Sequence, residues 1–353
     1  MEELQFKQIL ETIVPGDEKA SELCRARWNS IAKPLHSLGW MEDAIARIAA
    51  AQHSADVRTA KKILVPMCAD NGIVAEGVTQ TGQVVTSIVA ENFLDEKSCA
   101  AIMCRLAGAD IRPIDIGMVV DTPRVEKRKV AYGTRNFAKE PAMTREEAVR
   151  ALMVGITLAK ELKEQGCDLI ATGEMGIGNT TTSSAVASAL LGVPAVEMTG
   201  RGAGLSSEGL NTKIRVIQEA IDRWSLYEAE PLAVLSCVGG FDIAGIAGLF
   251  LGGAAYHIPV LIDGFISSVG ALLAARLCPA AKDYMLATHV SKEPAARRIL
   301  KTLDLEPALD AGMCLGEGSG AVAAFPLIDM GAEIYYRMST FDQIQVEAYQ
   351  ELK

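Results

Sequence analysis

The sequence contains neither a block of basic residues nor an apolar run long enough to cross a membrane. Lysine and arginine number 34 against 44 aspartates and glutamates, which gives a formal charge of −10. Three polar residues, Asp242, His257 and Asp263, divide the longest apolar region into pieces shorter than the roughly 20 residues of a spanning helix. A net negative charge without basic patches disfavours a nucleic-acid or membrane partner.

Disulfide and zinc patterns are also missing. The eight cysteines form no CxxC pair, and no histidine stands at zinc-ligand spacing from them. Scattered cysteines within apolar segments are typical of small core residues in a reducing compartment. The first ten residues, MEELQFKQIL, carry acidic groups where a signal peptide would carry basic ones. These features predict a cytoplasmic protein.

The remaining composition is that of an ordinary globular protein. Half of the 353 residues are hydrophobic, and glycine and proline contribute only 31 and 13 residues. Short runs rich in valine and isoleucine alternate with alanine-rich helical patterns. This alternation predicts an α/β fold with an open, mainly parallel sheet flanked by helices. The predicted strands are residues 63–68, 111–116, 169–172, 232–237, 260–262 and 284–288.

Both ends of the chain differ from this central pattern. Residues 1–60 have apolar residues at helical spacing throughout, with Asp17 expected to cap a helix. Residues 329–353 lose the strand pattern and end in a predicted helix, 340–352. We therefore expect an α/β domain at 61–328 and a small helical domain built from the two terminal segments.

The loop at residues 173–182, GEMGIGNTTT, carries a strong functional signal. Ligands of a parallel sheet bind outside the carboxyl ends of the strands, and this loop leaves such an end. Gly176 and Gly178 permit close approach to the backbone, and a helix starting at Asn179 presents unpaired amides. Such a start favours a phosphate. The alternative is an ordinary turn capped by Asn179 or Thr180.

Other glycine-containing loops carry charged residues that have both a functional and a structural interpretation. The loop 200–204, GRGAG, could close over the same anion together with Lys213, or form a solvated surface turn. Asp242 could simply cap its own helix. Asp263 could cap a helix or accept a hydrogen bond from a ribose hydroxyl.

A glutamate framed by glycines, Glu317 in LGEGSGA (315–321), is a candidate catalytic base. A carboxylate on such a loop beside apolar walls suits proton abstraction. The structural alternative is a first-turn glutamate favoured by the helix dipole. His289, Ser291 and Lys292 are further polar candidates, although a lone histidine at a strand end is more often structural.

Seven loop motifs together resemble one known family. They are MCADNGIVAEGVTQ (67–80), GEMGIGNTTTSSA (173–185), GRGAGL (200–205), GGFDIAGIAG (239–248), DGFISS (263–268), HVSKEP (289–294) and LGEGSGA (315–321). Their order and length make the chain similar to the nicotinate-nucleotide:dimethylbenzimidazole phosphoribosyltransferases over about residues 25–325. RWNSIAKPLHSLG (27–39) also resembles the N-terminal helical signature of that family.

The resemblance implies a step in building the lower ligand of cobalamin. The family transfers 5-phosphoribosyl from nicotinate mononucleotide to a benzimidazole, giving α-ribazole 5′-phosphate and nicotinate. It also implies a Rossmann-like sheet, a small helical domain drawn from both chain ends, and a homodimer. No diphosphate leaves in this reaction, so we expect neither a metal nor another cofactor.

The resemblance also assigns site residues by their positions. Glu317 matches the family's catalytic base, which takes the ring proton of the acceptor, and Glu174 matches its second active-site glutamate. The other implied residues bind the phosphate, ribose or base of the substrate, and they are Gly176, Ile177, Gly178, Asn179, Thr180, Gly202, Gly204, Lys213, Asp242, Asp263, Ser291 and Leu315.

The segment TQTGQVV (79–85) should border the acceptor ring, so Thr79, Gln80 and Gln83 form the expected acceptor pocket. This segment departs from the family pattern, as does Asn71, where many members have histidine. The acceptor is therefore open between dimethylbenzimidazole, another benzimidazole, a purine and a phenol.

Two other functions fit parts of the pattern. A nicotinamide-dependent oxidoreductase would share the sheet and the glycine-rich loops, although the first strand is not followed by GxGxxG. A non-catalytic nucleotide-binding subunit of a heterodimer would explain the phosphate loop, although the presence of both Glu174 and Glu317 favours catalysis.

Overall fold

The alternation of side chains along the first strand explains how the chain builds its layers. Ile63 and Val65 pack on one face of the sheet, while Leu64 and Cys68 pack on the other. The whole strand is buried, as expected for a strand covered on both faces. The computed structural model, which describes residues 2–350, accordingly places a parallel sheet between two helical layers.

Seven parallel strands form the sheet within residues 2–350. They are β1 Lys62–Ala69, β2 Asp110–Ile111, β3 Ile114–Gly117, β4 Glu126–Lys127, β5 Leu169–Met175, β6 Val260–Ile262 and β7 Met285–Ala287. Their order across the sheet is β4-β3-β1-β5-β6-β7, and β2 also pairs with β1. The prediction of an open, mainly parallel α/β sheet is therefore confirmed.

Helices cover both faces of the sheet. They are α1 Glu2–Thr12, α2 Glu18–Ser30, α3 Trp40–Gln52, α4 Val84–Leu94, α5 Cys99–Ala107, α6 Arg145–Glu164, α7 Asn179–Leu191, α8 Ala195–Met198, α9 Ser207–Arg223, α10 Pro231–Val238, α11 Phe241–Ala255, α12 Phe265–Leu277, α13 Ala296–Thr302 and α14 Ser319–Arg337. Short 3₁₀ turns occupy residues 72–76, 226–228 and 279–284. None of the helices described is long and apolar enough to cross a bilayer.

The two faces bury different helices. Helices α6, α7, α10, α11 and α12 pack on the face of Ile63 and Val65, whereas α2, α3, α5 and α14 pack on the face of Leu64 and Cys68. Five of the eight cysteines are buried, and none of the eight forms a disulfide within the described chain. Their prediction as small core residues therefore holds for most of them.

The two ends of the chain meet on the second face. The ring centroid of Trp28 on α2 lies 5.3 Å from that of Tyr335 on α14. The amide of Phe341 donates a hydrogen bond of 3.0 Å to the carbonyl of Ser30. The small helical domain and its boundaries at residues 60 and 328 stay predictions, and α14 itself runs unbroken through residue 328.

One predicted strand is wrong, because residues 232–237 belong to helix α10. Pro231 occupies the first helical position, where its missing amide costs nothing. The hydroxyl of Ser236 donates to the carbonyl of Leu232 one turn earlier, at 2.8 Å. A short apolar run that is buried all round does not distinguish a strand from a helix by its pattern. The following GGFD segment therefore joins two helices.

The helix predicted at 340–352 is also wrong within the described chain. Residues 341–350 form turns and coil, and residues 351–352 lie outside the described part. Only Phe341 among the apolar residues of this segment is buried, and a short helix without a packing face is marginal in water. Residues 31–39 likewise form turns that interrupt the predicted N-terminal helices.

Two smaller outcomes concern a cap and a strand. The Asp17 carboxylate accepts from the amide of Ala20 and caps α2, as predicted. The predicted strand 111–116 splits into β2 and β3 on either side of Pro113, which has no amide for the ladder.

Candidate active site

The carboxyl ends of β5, β6 and β7 surround a cavity of about 260 Å³. Its walls combine a glycine-rich turn, four carboxylates and apolar side chains. The predicted residues that line it are Glu174, Gly176, Ile177, Asn179, Thr180, Gly202, Asp263, Ser291, Leu315 and Glu317. A second cavity, of about 400 Å³, lies between α2, α3 and the residues around β7, and none of the predicted site residues lines it.

The turn at 176–180 is an uncapped helix start. Gly178 precedes α7 at φ +93°, a left-handed conformation that favours glycine, and no side chain caps the helix. A Cβ on Gly176 would collide with the carbonyl of Ala69. The alternative of a turn capped by Asn179 or Thr180 is therefore wrong, and the geometry is that of an anion-binding helix terminus.

Sequence reasoning missed the residue that supports this turn, Thr86 on α4. Its hydroxyl accepts a hydrogen bond of 3.2 Å from the amide of Ile177 and donates one of 2.6 Å to Asp70. The Asp70 carboxylate also accepts from the amide of Val119. No motif marks a threonine in α4, so nothing in the sequence pointed to it.

Glu174 occupies the floor of the cavity at the end of β5. Its carboxylate accepts from the side-chain amide of Asn179 and, at 3.4 Å, from the backbone amide of Glu317. Burial, followed by the nearby charges of Asp242 and Asp263, raises the pKa of Glu174 to about 8. These surroundings therefore favour the neutral acid near pH 7.

Glu317 lies at the edge of the same cavity, one residue before the glycine that caps α14. Its backbone φ angle is +63°, a value that residues other than glycine rarely adopt. Its Oε2 accepts a hydrogen bond of 3.0 Å from the amide of Ala100 in the first turn of α5. Glu317 is therefore not in the first turn of α14, as the structural alternative proposed. Its carboxylate is held instead by the start of another helix, α5.

Asp263 follows β6 and caps α14 from outside that helix. It accepts hydrogen bonds from the amides of Gly318, Gly320 and Ala321 at 3.2, 2.7 and 3.2 Å. Burial raises the pKa of Asp263, while His289 and the backbone amides act to lower that pKa. Of the two interpretations, capping is observed, and the carboxylate also faces the cavity. The buried ring of His289 packs against Gly320.

Asp242 and Asn71 lie buried behind the turn and do not line the cavity. Asp242 is in the first turn of α11, where its Oδ1 accepts from the amide of Ile243 at 2.9 Å. Burial raises the pKa of Asp242 to about 7. A Cβ on Gly240 would collide with oxygen atoms of both Asp242 and Asn71, which shows how closely these groups pack.

The predicted cationic loop packs against the turn. Lys213 is fully buried, and its Nζ donates to the Thr180 hydroxyl at 2.8 Å and to the Gly200 carbonyl at 3.2 Å. Burial lowers the pKa of Lys213 to about 8. Gly202 lines the cavity, whereas the Gly204 carbonyl accepts from the side chain of Gln80. Lys213 and Gly204 are therefore adjacent to the cavity rather than in its wall.

The three expected acceptor residues lie outside this cavity. Thr79 and Gln80 line a smaller one, of about 80 Å³, on the other side of the 176–180 turn. The Gln83 side chain donates to the carbonyl of Asn71 at 3.3 Å. Of the further polar candidates, His289 and Ser291 line the main cavity, while Lys292 is exposed and does not.

Apolar side chains form the wall beside Glu317. Val89 on α4, Met175, Phe265 and Leu315 line the cavity there. A flat aromatic ring fits such a wall, because it would contact apolar atoms while its polar edge reached the carboxylate. The fold and this cavity together define a Rossmann-like α/β enzyme site.

Comparison with known proteins makes the assignment more specific. A family model described as phosphoribosyltransferase matches residues 13–346. The nicotinate-nucleotide–dimethylbenzimidazole phosphoribosyltransferase of Clostridium acetobutylicum is 45% identical over 98% of this chain and 99% of its own. The protein of the same name from Ruminiclostridium cellulolyticum is 43% identical over 99% and 100%. The crystal structure of CobT from Thermus thermophilus gives a TM-score of 0.89 at 38% identity, covering 94% of this chain and 100% of that one.

The chain therefore belongs to the nicotinate-nucleotide–dimethylbenzimidazole phosphoribosyltransferase family. The match spans nearly the whole length of both this chain and its relatives. It confirms the resemblance drawn from the loop motifs. The comparisons do not favour the oxidoreductase or the non-catalytic subunit.

Proposed function

We propose that this protein transfers 5-phosphoribosyl from nicotinate mononucleotide to 5,6-dimethylbenzimidazole or a related lower-ligand base. The products are α-ribazole 5′-phosphate and nicotinate. One observation carries the proposal: Glu174 and Glu317 face a single cavity together with the uncapped turn at 176–180. This combination supplies an anion site, an acidic floor and a base within reach of one substrate.

The charges of the donor's phosphate and pyridinium ring suggest how it lies in the cavity. Its phosphate binds at the start of α7, where the turn offers backbone amides and Thr180 offers a hydroxyl. Ser291 and Asp263 then lie beside the ribose, and the pyridinium ring lies towards Glu174. Lys213 acts through Thr180, since its ammonium group donates to that hydroxyl.

The reaction needs a base but no acid. The donor's ring nitrogen carries a positive charge, so nicotinate leaves neutral at that nitrogen without being protonated. The acceptor attacks C1′ through one ring nitrogen and must lose the proton on the other. Glu317 is suited to take that proton, because one of its oxygens is held by the Ala100 amide while the other remains to meet the ring.

Glu174 responds to the charge of the substrate. A cationic ring and an oxocarbenium-like anomeric carbon both favour the ionised carboxylate, which opposes the burial that raises its pKa. When the cationic donor binds, Glu174 therefore releases its proton to solvent and becomes negative next to the anomeric carbon. Inversion at C1′ from β to α follows from attack on the face opposite the leaving nicotinate.

We also propose a homodimer in the cytoplasm. The apolar wall beside Glu317 includes Leu315, whose side chain is 57% exposed in the single chain. Exposed apolar residues next to a substrate site favour a protein partner. The cytoplasmic location is supported by the scattered free cysteines.

The test is to incubate the purified protein with nicotinate mononucleotide and dimethylbenzimidazole and to measure nicotinate by chromatography. We expect nicotinate and α-ribazole 5′-phosphate in equal amounts. A parallel assay with adenine and with phenol identifies the range of acceptors. Absence of nicotinate release with every acceptor would contradict the proposal.

A further inference from the structure

Glu293 places a negative charge next to the proposed phosphate site. It follows β7 in the segment HVSKEP, and its side chain lines the main cavity. Its Oε2 is buried and has no hydrogen-bond partner among the described residues. The reaction proposed above gives this carboxylate no role.

The carboxylate packs against the loop that closes over the turn. A Cβ on Gly200 would collide with Oε2 of Glu293, so the carboxylate covers that glycine. The backbone of Gly202 donates a hydrogen bond to it, and the ammonium group of Lys213 attracts it. Burial raises the pKa of Glu293, while Lys213 and Gly202 oppose this rise.

These contacts conflict with a bound phosphate. The donor phosphate is proposed to bind Thr180, which Lys213 supports, and Gly202 lines the same cavity. Glu293 interacts with Gly202 and Lys213. A phosphate dianion and a carboxylate would share the single positive charge of Lys213. Repulsion between two anions in a partly desolvated site is large compared with their interaction in water.

We infer that Glu293 takes the place of the donor phosphate before the donor binds, and that phosphate binds only as this carboxylate takes up a proton. The inference rests on the proposed function, because it uses the same phosphate site. Glu293 then places a negative charge near Lys213 when no donor is present, and it makes donor affinity depend on pH.

The direction of the pH effect follows from linkage. The protein that binds phosphate has gained a proton, so affinity falls as pH rises through the range in which Glu293 ionises. One proton corresponds to a change of at most about tenfold per pH unit. Other titratable or charged groups face this region from neighbouring elements, namely Lys213, Arg201, Glu174, Asp263, His289 and Glu317, with Asp242 behind the turn. Removing the Glu293 charge further lowers the pKa of Lys213. That change weakens phosphate binding by the variant at high pH, so it opposes the effect expected from Glu293 and cannot imitate it.

The experiment is calorimetric titration with nicotinate mononucleotide, without acceptor, at pH 6, 7, 8 and 9. It compares the wild type with Glu293→Gln and Glu293→Ala. The control is Glu197→Gln, which removes a carboxylate on α8 that pairs with Arg298 outside the cavity. We expect the ratio of wild-type Kd to variant Kd to rise with pH and to exceed ten by pH 9. The control should follow the wild type.

Proton uptake gives a second readout. Inorganic phosphate is mainly a dianion at pH 8, so titration with it in two buffers of different ionisation enthalpy should show net proton uptake by the wild type, and less by Glu293→Gln. A Kd ratio that does not change with pH, or weaker binding by both variants at every pH, would overturn the inference. So would the absence of proton uptake.

The two failures are distinguishable. If the wild type binds neither nicotinate mononucleotide nor inorganic phosphate, the phosphate site is wrong, and this inference fails with it. If both bind but without the dependence on Glu293, only this inference fails. A normal melting temperature of each variant shows that it is folded.

Discussion

Single side chains in the cavity owe their properties to what surrounds them. Burial raises the pKa of Glu174 in the cavity and of Asp242 behind the turn. Glu317 is only half-buried and is held by the amide of Ala100. Carboxyl groups of one site therefore differ in their surroundings, which is consistent with the different tasks proposed for Glu317 and Glu174.

At Glu317 we predict that the substitution Glu317→Gln removes the base but keeps its shape. The glutamine oxygen can still accept from Ala100, so the loop should remain in place. We expect kcat to fall by about 10²–10⁴-fold, while the Kd of nicotinate mononucleotide changes less than about twofold. Steady-state kinetics and calorimetry measure the two quantities.

The matched control for this substitution is Glu333→Gln, which removes an exposed carboxylate on α14 that pairs with Arg337. It should leave kcat unchanged within about twofold. Turnover by Glu317→Gln at the wild-type rate would show that another group takes the proton.

At Glu174 we predict an effect of pH on stability. The folded protein holds the Glu174 proton up to about pH 8, whereas the unfolded chain releases it near the ordinary glutamate pKa of 4.5. The unfolded state therefore binds fewer protons in this range, and the free energy of unfolding falls as pH rises, by at most about 1.4 kcal/mol per unit. Glu174→Gln should remove this contribution.

Melting temperatures of both proteins at pH 5, 6, 7 and 8 measure the effect. The melting temperature of the variant, relative to that of the wild type, should increase with each step up to pH 8. Asp242, whose pKa is raised to about 7, also titrates in this range, and its charge is one cause of the raised pKa of Glu174. The comparison therefore reports the two carboxyl groups as a pair. A constant difference between the two proteins would mean that Glu174 is already ionised in the folded state.

At the scale of elements, helix starts organise the site. The start of α7 forms the anion turn, the start of α5 holds Glu317, and the start of α14 is capped by Asp263. The amides at the starts of α5 and α14 hold the carboxylates of Glu317 and Asp263, and those at the start of α7 are available to an anion. The helix α4 contributes differently, because it supports the turn through Thr86.

We predict that Thr86→Val loosens the turn. Valine keeps the shape of threonine but leaves the amide of Ile177 and the carboxylate of Asp70 without the hydroxyl. Loss of such buried hydrogen bonds costs about 1–3 kcal/mol, so kcat/KM for the donor should fall by about 5- to 150-fold if the turn must be restored before the donor binds. The control is Thr302→Val, since that exposed hydroxyl bonds only the Arg298 carbonyl of its own helix. Equal kinetics of the two variants would show that the turn does not depend on Thr86.

Helices and strands could be predicted where the residue pattern was compatible with only one kind of secondary structure. The strands around residues 63–68 and 260–262 were found, because Val/Ile-rich runs ended in glycine or aspartate loops. Residues 232–237 were misassigned, because a buried helix and a buried strand share an unbroken apolar run. Glu317 and the 176–180 turn could be predicted from their glycines. The support from Thr86 and Ala100 could not, because it depends on contacts between residues distant in sequence.

At the scale of the whole molecule, both ends of the chain return to one face of the sheet. Trp28 on α2 and Tyr335 on α14 are in contact there. A stretch of exposed apolar residues also runs along α4 and α5 beside the cavity, with Val84, Ile88 and Leu106 each more than half exposed. Such a surface on a monomer is unusual and favours association.

We therefore predict a dimer in solution. Light scattering coupled to size-exclusion chromatography should give twice the mass of one chain. Ile88→Glu combined with Leu106→Glu should shift the protein towards the monomer if these helices form the interface, whereas the distant surface change Leu23→Glu on α2 should not. A single-chain mass for the wild type at micromolar concentration would contradict the dimer.

Helix α14 begins after the Glu317 loop, where Asp263 accepts hydrogen bonds from its first amides, and its last turns carry Tyr335, which contacts Trp28. These 19 residues, with Pro326 inside the helix, thus connect the cavity to an indole ring on α2. Any tilt of the helix when the cavity fills would alter the packing of that indole. Intrinsic fluorescence, with Trp40 and Trp224 replaced by phenylalanine, would then give an optical signal of occupancy without a label.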